Sequence, residues 1–245
     1  MTIAAAIIVL KFDQELQSFD SVPNQFSNQI SNQIVVDIAY PKYAADYTCA
    51  IALGLASSLS LSPFTIAEAI SQYCSQDQDF ANKFTITALG KGWLNISMTS
   101  SYRLETIVNL DHWIPENQNI PNSGDLDDGA YVYARCHGLL RLAEQARLGS
   151  QNLCPNVFDD EPVAIALLLQ NLEIADYLQN PHGQTLRMTS KLRRSLITAF
   201  FDFYGQCRIF GVSADLAQTR IYLISITQKL IQAIAPSHLI YKPYL

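Results

Sequence analysis

The chain has little charge and few of the residues that mark a catalytic centre. Only 16% of its 245 residues are charged, and it holds four histidines and two tryptophans. Asp and Glu outnumber Lys and Arg by 22 to 16, for a net charge of −6. That balance excludes nucleic-acid binding through overall positive charge and leaves only a local basic patch for it. No GxGxxG, GxxxxGK(S/T) or GxSxG stretch occurs, so phosphate-cradling loops and the nucleophile elbow have no carrier. The five cysteines, Cys49, Cys74, Cys136, Cys154 and Cys207, are odd in number and never form CxxC. The histidines, His112, His137, His182 and His238, form no HxxxH or HExxH. Structural zinc needs four such ligands, usually in close pairs, so no metal and no cofactor is expected. The thiols read as reduced and mostly buried, as in a cytoplasmic protein. The first apolar run, Ile3–Leu10, is too short for a membrane span. It lacks the basic flank and cleavage site of a signal peptide.

What is present is enough apolar material, 49%, for a real core. Charge divides unevenly: residues 1–126 carry 5 basic and 12 acidic side chains (net −7), and residues 127–245 carry 11 and 10 (net +1). Residues 1–33, rich in Gln, Asn and Ser from 11 onward, read as a lead-in. Ile34–Ile38 predicts a strand. Cys49, Leu53 and Ala56 recur at helical spacing and predict a helix over Asp46–Leu59. Ser62-Pro63 predicts the cap of a second helix, to about Cys74. Phe84, Ile86 and Ala88 alternate with polar residues, as do Leu94, Ile96 and Met98, and Gly90-Lys91-Gly92 between them predicts a β-hairpin. Thr99–Ser101 predicts the cap of a helix to about Leu110. Residues 34–110 thus read as a small α+β domain. Residues 111–126 (DHWIPENQNIPNSGDL) read as a linker. Residues 127–245 show four amphipathic patterns, over 131–148, from Asp160-Pro162, over 192–210 and over 216–234, and predict an all-α bundle. Asp127-Asp128 and Asp159-Asp160-Glu161 read as acids at helix starts, favoured by the helix dipole.

Several segments carry a resemblance. Tyr40-Pro41-Lys42-Tyr43, Asp46-Tyr47 and Ala52-Leu53-Gly54-Leu55-Ala56 follow the "pkfGDYqaN-A-aLAk" segment of arginyl-tRNA synthetase N-terminal domains, especially bacterial ones. Pro63-Phe64-Thr65-Ile66-Ala67-Glu68-Ala69-Ile70 follows their "P-xIAexI", and Ala88–Ile96 their "aGPGFINf" hairpin. The order and spacing match, with one extra residue near Ala44-Ala45. Tyr131–Arg135 with Leu140-Arg141 resembles "YvxYAxaRixSilRkA" of the DALR anticodon-binding domain that ends the same enzymes. Phe200–Ile209 resembles its "FxxFYxxcrVL". Arg220–Leu223 and Ala235–Leu239 resemble its "aRLxL" and "APERM".

In those synthetases a Rossmann-type catalytic domain and a helical insert separate the two modules. The sixteen or so residues 111–126 stand in that place here, and no HxGH element occurs. Arg187-Met188-Thr189-Ser190-Lys191 superficially resembles the KMSKS loop but reads as a helix start. The resemblance therefore implies a non-catalytic, tRNA-binding protein that presents or senses tRNA, arginine tRNA among the candidates. It implies that the first module grips the tRNA elbow and the second the anticodon stem and loop. In the family's hairpin an aromatic residue and an amide two positions later meet an unstacked base; these are Trp93 and Asn95 here. Lys91 replaces the family's proline and offers a phosphate contact, and Ala50 replaces its asparagine. Arg135 matches a family arginine that serves packing or RNA. Arg187, Lys191, Arg193 and Arg194 are four cations in eight residues at a helix start, where the dipole disfavours them; they read either as a phosphate-binding cluster or as a solvated polar face. The alternative is an acidic scaffold subunit that has lost RNA binding and meets a protein partner through its first domain or the tail bearing Tyr241 and Tyr244.

Overall fold

The computed structural model describes residues 35–39, 45–114, 128–148, 153–159, 161–179 and 184–235. The lead-in, most of the linker, Tyr40–Tyr43 and the two tail tyrosines lie outside the described residues. The chain divides into two units, Met1–Tyr102 and Arg103–Leu245.

The first unit is a four-stranded antiparallel sheet with helices on one face. Its elements run β1 (Val36–Ile38), β2 (Tyr47–Cys49), α1 (Ile51–Leu59), α2 (Pro63–Gln76), α3 (Gln78–Ala81), β3 (Phe84–Leu89) and β4 (Trp93–Met98). Strand order is β1-β2-β4-β3. The inner face carries Tyr47, Cys49, Phe84, Leu94, Ile96 and Met98, buried with Ile51, Leu55, Ile66, Ile70 and Cys74 of α1 and α2. Asp46, only 1% exposed, ties three strands at their ends. Its carboxylate accepts Met98 N–H at 2.6 Å, its own N–H donates to Ile96 O, and its carbonyl accepts Ala39 N–H. The Asp46-Tyr47 pair that carries the family resemblance is thus architectural.

The helix expected over Asp46–Leu59 is corrected to a strand followed by a helix. Tyr47, Thr48 and Cys49 are all buried, paired with β1 on one side and β4 on the other. Leu53, assigned inward by the helical spacing, is 39% exposed. Aromatic and β-branched residues suit a strand buried on both faces, and the local period of four was accidental. Other signals hold: Ser62 Oγ accepts Thr65 N–H at 3.0 Å. The hairpin closes over Gly90-Lys91-Gly92, with Gly92 N–H donating to Leu89 O at 3.1 Å. Gly92 has φ +103°, and a Cβ there would lie 2.5 Å from Pro63 Cβ, so only glycine fits both the turn and its contact with α2.

The expected helix after Thr99 is α4 (Ser100–Trp113), capped by Thr99 Oγ1, which accepts Tyr102 N–H at 3.3 Å. The boundary between the units falls within it: Tyr102 packs on Phe84 in the first unit, and Arg103 donates to Phe158 O in the second. The second unit continues with α5 (Gly129–Gln145), a 3₁₀ turn (Pro155–Phe158), α6 (Pro162–Gln179), α7 (Leu186–Gln206) and α8 (Ala214–Ala233). α8 packs along α5 and α6 along α7, as an all-helical bundle requires. Glu161 stands directly before α6, its carbonyl accepting Ala164 and Ile165 N–H, and its carboxylate has a further task. It forms an ion pair with the nearly buried Arg220 of α8, which also donates to Arg208 O.

Candidate nucleic-acid interface

α7 begins at Leu186 because Thr185 caps it, accepting Met188 N–H at 3.3 Å. The Tyr177 hydroxyl of α6 meets Thr189 Oγ1 at 2.5 Å and pins the first turn. Thr189, Leu192, Leu196, Ile197, Phe200 and Phe203 turn inward. Arg187, Lys191, Arg194, Thr198 and Phe201 are exposed. Their spacing of 4, 3, 4 and 3 places them on one stripe, about 21 Å long at 1.5 Å per residue. Among the described residues, Arg187, Lys191 and Arg194 form no ion pair. Among the described residues their one side-chain hydrogen bond is Arg194 Nε–H donating to Ser190 O at 3.3 Å.

Arg193, expected in the same cluster, is not on this surface. It is 1% exposed and donates to Ile234 O at 3.2 Å, at the C-terminal end of α8. A cation there complements the negative end of the helix dipole and satisfies a terminal carbonyl. Four cations in eight residues span more than one helical face, and the fourth falls inside.

The stripe ends in an aromatic cluster that the sequence did not single out. Phe201, 37% exposed, lies 5.7 Å from the ring of Tyr131 on α5, itself 42% exposed. Arg135, one turn after Tyr131, lays its guanidinium over the Tyr204 ring at 4.6 Å. Tyr204 in turn stacks on Phe200 at 5.9 Å with planes 2° apart. Arg135 is half-buried, and among the described residues its Nε meets no hydrogen-bond acceptor. It therefore packs as a flat cation against aromatics. The one available signal for Phe201 was its place in the 4-3-4-3 series from Arg187.

In the first unit, Trp93 lies at the start of β4, 43% exposed, on the sheet face opposite Leu94, Ile96 and Met98. Leu89, its cross-strand partner, is equally exposed. Asn95 lies two residues on, about 7 Å along the same face. It is half-buried in a polar row, Asp37, Thr48, Asn95 and Thr87, that crosses all four strands. Lys91 projects from the exposed hairpin tip.

No curated protein and no solved structure matches the chain. Two family matches exist: residues 7–98 match the arginyl tRNA synthetase N terminal domain, and residues 130–235 match the DALR anticodon binding domain. The small sheet unit and the helical unit thus match, in order, an arginyl tRNA synthetase N-terminal domain and a DALR anticodon-binding domain, with residues 99–129 between the matched segments.

Proposed function

We propose that the chain is a non-catalytic tRNA-binding protein that holds an RNA strand along α7. The observation behind this reading is the stripe Arg187, Lys191, Arg194, Thr198 and Phe201. Three cations without ion-pair partners among the described residues lead into an exposed aromatic pair. Cations one helical turn apart are about 5–6 Å from each other at Cβ, close enough for neighbouring phosphates of one strand to engage successive side chains. Phe201 and Tyr131 then offer a face to an unstacked base, the usual means of reading a loop. On the first unit, Trp93 and Lys91 supply the same combination at smaller scale, one stacking ring and one phosphate contact. Thirty-one residues (99–129) between the matched segments are too few for an adenylate-forming domain, so the reading is grip without aminoacylation. The protein would then present or sense tRNA.

Filter binding tests this with arginine tRNA and an unstructured RNA of equal length at 50 and 150 mM salt. Tighter binding of the tRNA is expected. Phe201→Ala should cost about 1–3 kcal/mol of affinity without changing far-UV circular dichroism. Equal affinity for both RNAs ends the tRNA reading, and an unaffected Phe201→Ala removes α7 from it.

A further inference from the structure

The sheet of the first unit ends on one side at β3. Its neighbour β4 turns Ile96 O toward Asp46 N–H (3.1 Å) and Met98 N–H toward the Asp46 carboxylate, both away from β3. Ile86 stands opposite Ile96. In an antiparallel ladder, such a pair points its main-chain groups away from each other. Ile86 O accordingly faces out of the sheet, where it accepts the Ser71 hydroxyl of α2 at 3.0 Å. Two residues on, Ala88 N–H and C=O point the same way, and no described residue meets them. Beside this edge lies an open groove of about 490 Å3, lined by Glu68, Ser71 and Gln72 of α2 and by Ile86, Thr87 and Ala88 of β3.

An open strand edge beside a helix is a template for an added strand. The groove's one charged lining residue is Glu68, exposed and without a cationic partner among the described residues. The unit around it carries 4 basic and 8 acidic residues in positions 1–102, a net of −4. RNA phosphates are repelled by such a site, and a cationic side chain is attracted. We propose that this groove takes an extended peptide, paired with Ala88 as a fifth strand, with a lysine or arginine side chain over Glu68.

The test is a titration of the full-length, 15N-labelled chain with a seven-residue peptide alternating Thr and Val around one central Arg. A second peptide carries Glu in place of the Arg. The Arg peptide is expected to shift the Ala88 amide most and slow its hydrogen exchange. It should bind several-fold more tightly than the Glu peptide, and Glu68→Gln should erase that difference. Ala88→Pro, tolerated at an edge, removes the donor and should abolish binding. Should that variant not fold, Glu68→Gln, at an exposed helix position, still decides the question. No change at residues 86–88 at millimolar peptide overturns the proposal, as does a charge preference that survives Glu68→Gln. Shifts of the same amides by oligouridine instead of peptide would also overturn it, by giving the groove to RNA. None of these results bears on α7, which lies in the other unit.

Discussion

Arg193 and Arg194 are adjacent in the chain and face different tasks. Arg193 is enclosed and bonded to Ile234 O; Arg194 is exposed on the cationic stripe. Arg193→Ala removes a charge-assisted hydrogen bond, leaves a carbonyl unsatisfied and opens a cavity. It should lower stability by about 3 kcal/mol, read from the urea midpoint. Arg194→Ala should change stability by less than about 0.5 kcal/mol yet weaken RNA binding. The opposite pattern would exchange their roles. The thiols offer a second test at this scale. Burial pushes Cys49 and Cys207 up to about 11 and raises Cys136 further, and Cys154 is the one half-exposed cysteine. Protonated, enclosed thiols react slowly. At pH 8 the native protein should therefore react with a disulfide reagent at one cysteine and the unfolded protein at five. The raised values add stability that is complete below the ordinary thiol value of 9.0 and is lost as pH rises through about 11.

At the scale of the element, α7 joins the bundle on one face and, on the proposed reading, holds RNA on the other. If Arg187, Lys191 and Arg194 each neutralise one phosphate, replacing all three by Gln should reduce the slope of log affinity against log salt by about 2, at about 0.7 per single-strand contact. A slope unchanged in the triple variant would mean the stripe is merely a solvated face. Glu161→Gln would leave Arg220, 5% exposed, without its carboxylate, and should destabilise by about 3 kcal/mol in urea unfolding. How far these elements were legible in the sequence depends on the range of the forces that make them. The hairpin, the Ser62 cap and the buried face of α7 follow from alternation, capping and helical spacing, all local. The strand Tyr47–Cys49 does not, since its burial comes from β4, some fifty residues later. Nor does the fate of Arg193, whose partner lies 41 residues away. α3 was missed because a four-residue helix, begun by Asp77 accepting Phe80 N–H, has no period to detect. The cationic cluster was legible as composition; its division into three outer residues and one inner residue was a matter of helical phase.

For the whole molecule, the proposed reading is grip without a reaction centre. Residues 1–102 sum to −4 and residues 103–245, with 12 basic and 14 acidic side chains, to −2, so neither unit attracts RNA by net charge. On the proposed reading attraction comes from local cations, chiefly those of α7 with Lys91 on the first unit, and salt should weaken it sharply. Activation of arginine with ATP needs a pocket that aligns both substrates and stabilises the charge of the transferring adenylyl group. The matched segments are those of an N-terminal domain and an anticodon-binding domain, and the proposed non-catalytic reading assigns that pocket to neither. ATP–pyrophosphate exchange with arginine, with and without arginine tRNA, should therefore stay at the level of a heat-treated control in a preparation whose RNA binding has been verified. Exchange that rises with protein concentration and survives a further purification step would mean that the chain holds an adenylate-forming site, and the non-catalytic reading would fail even if α7 binds tRNA as described.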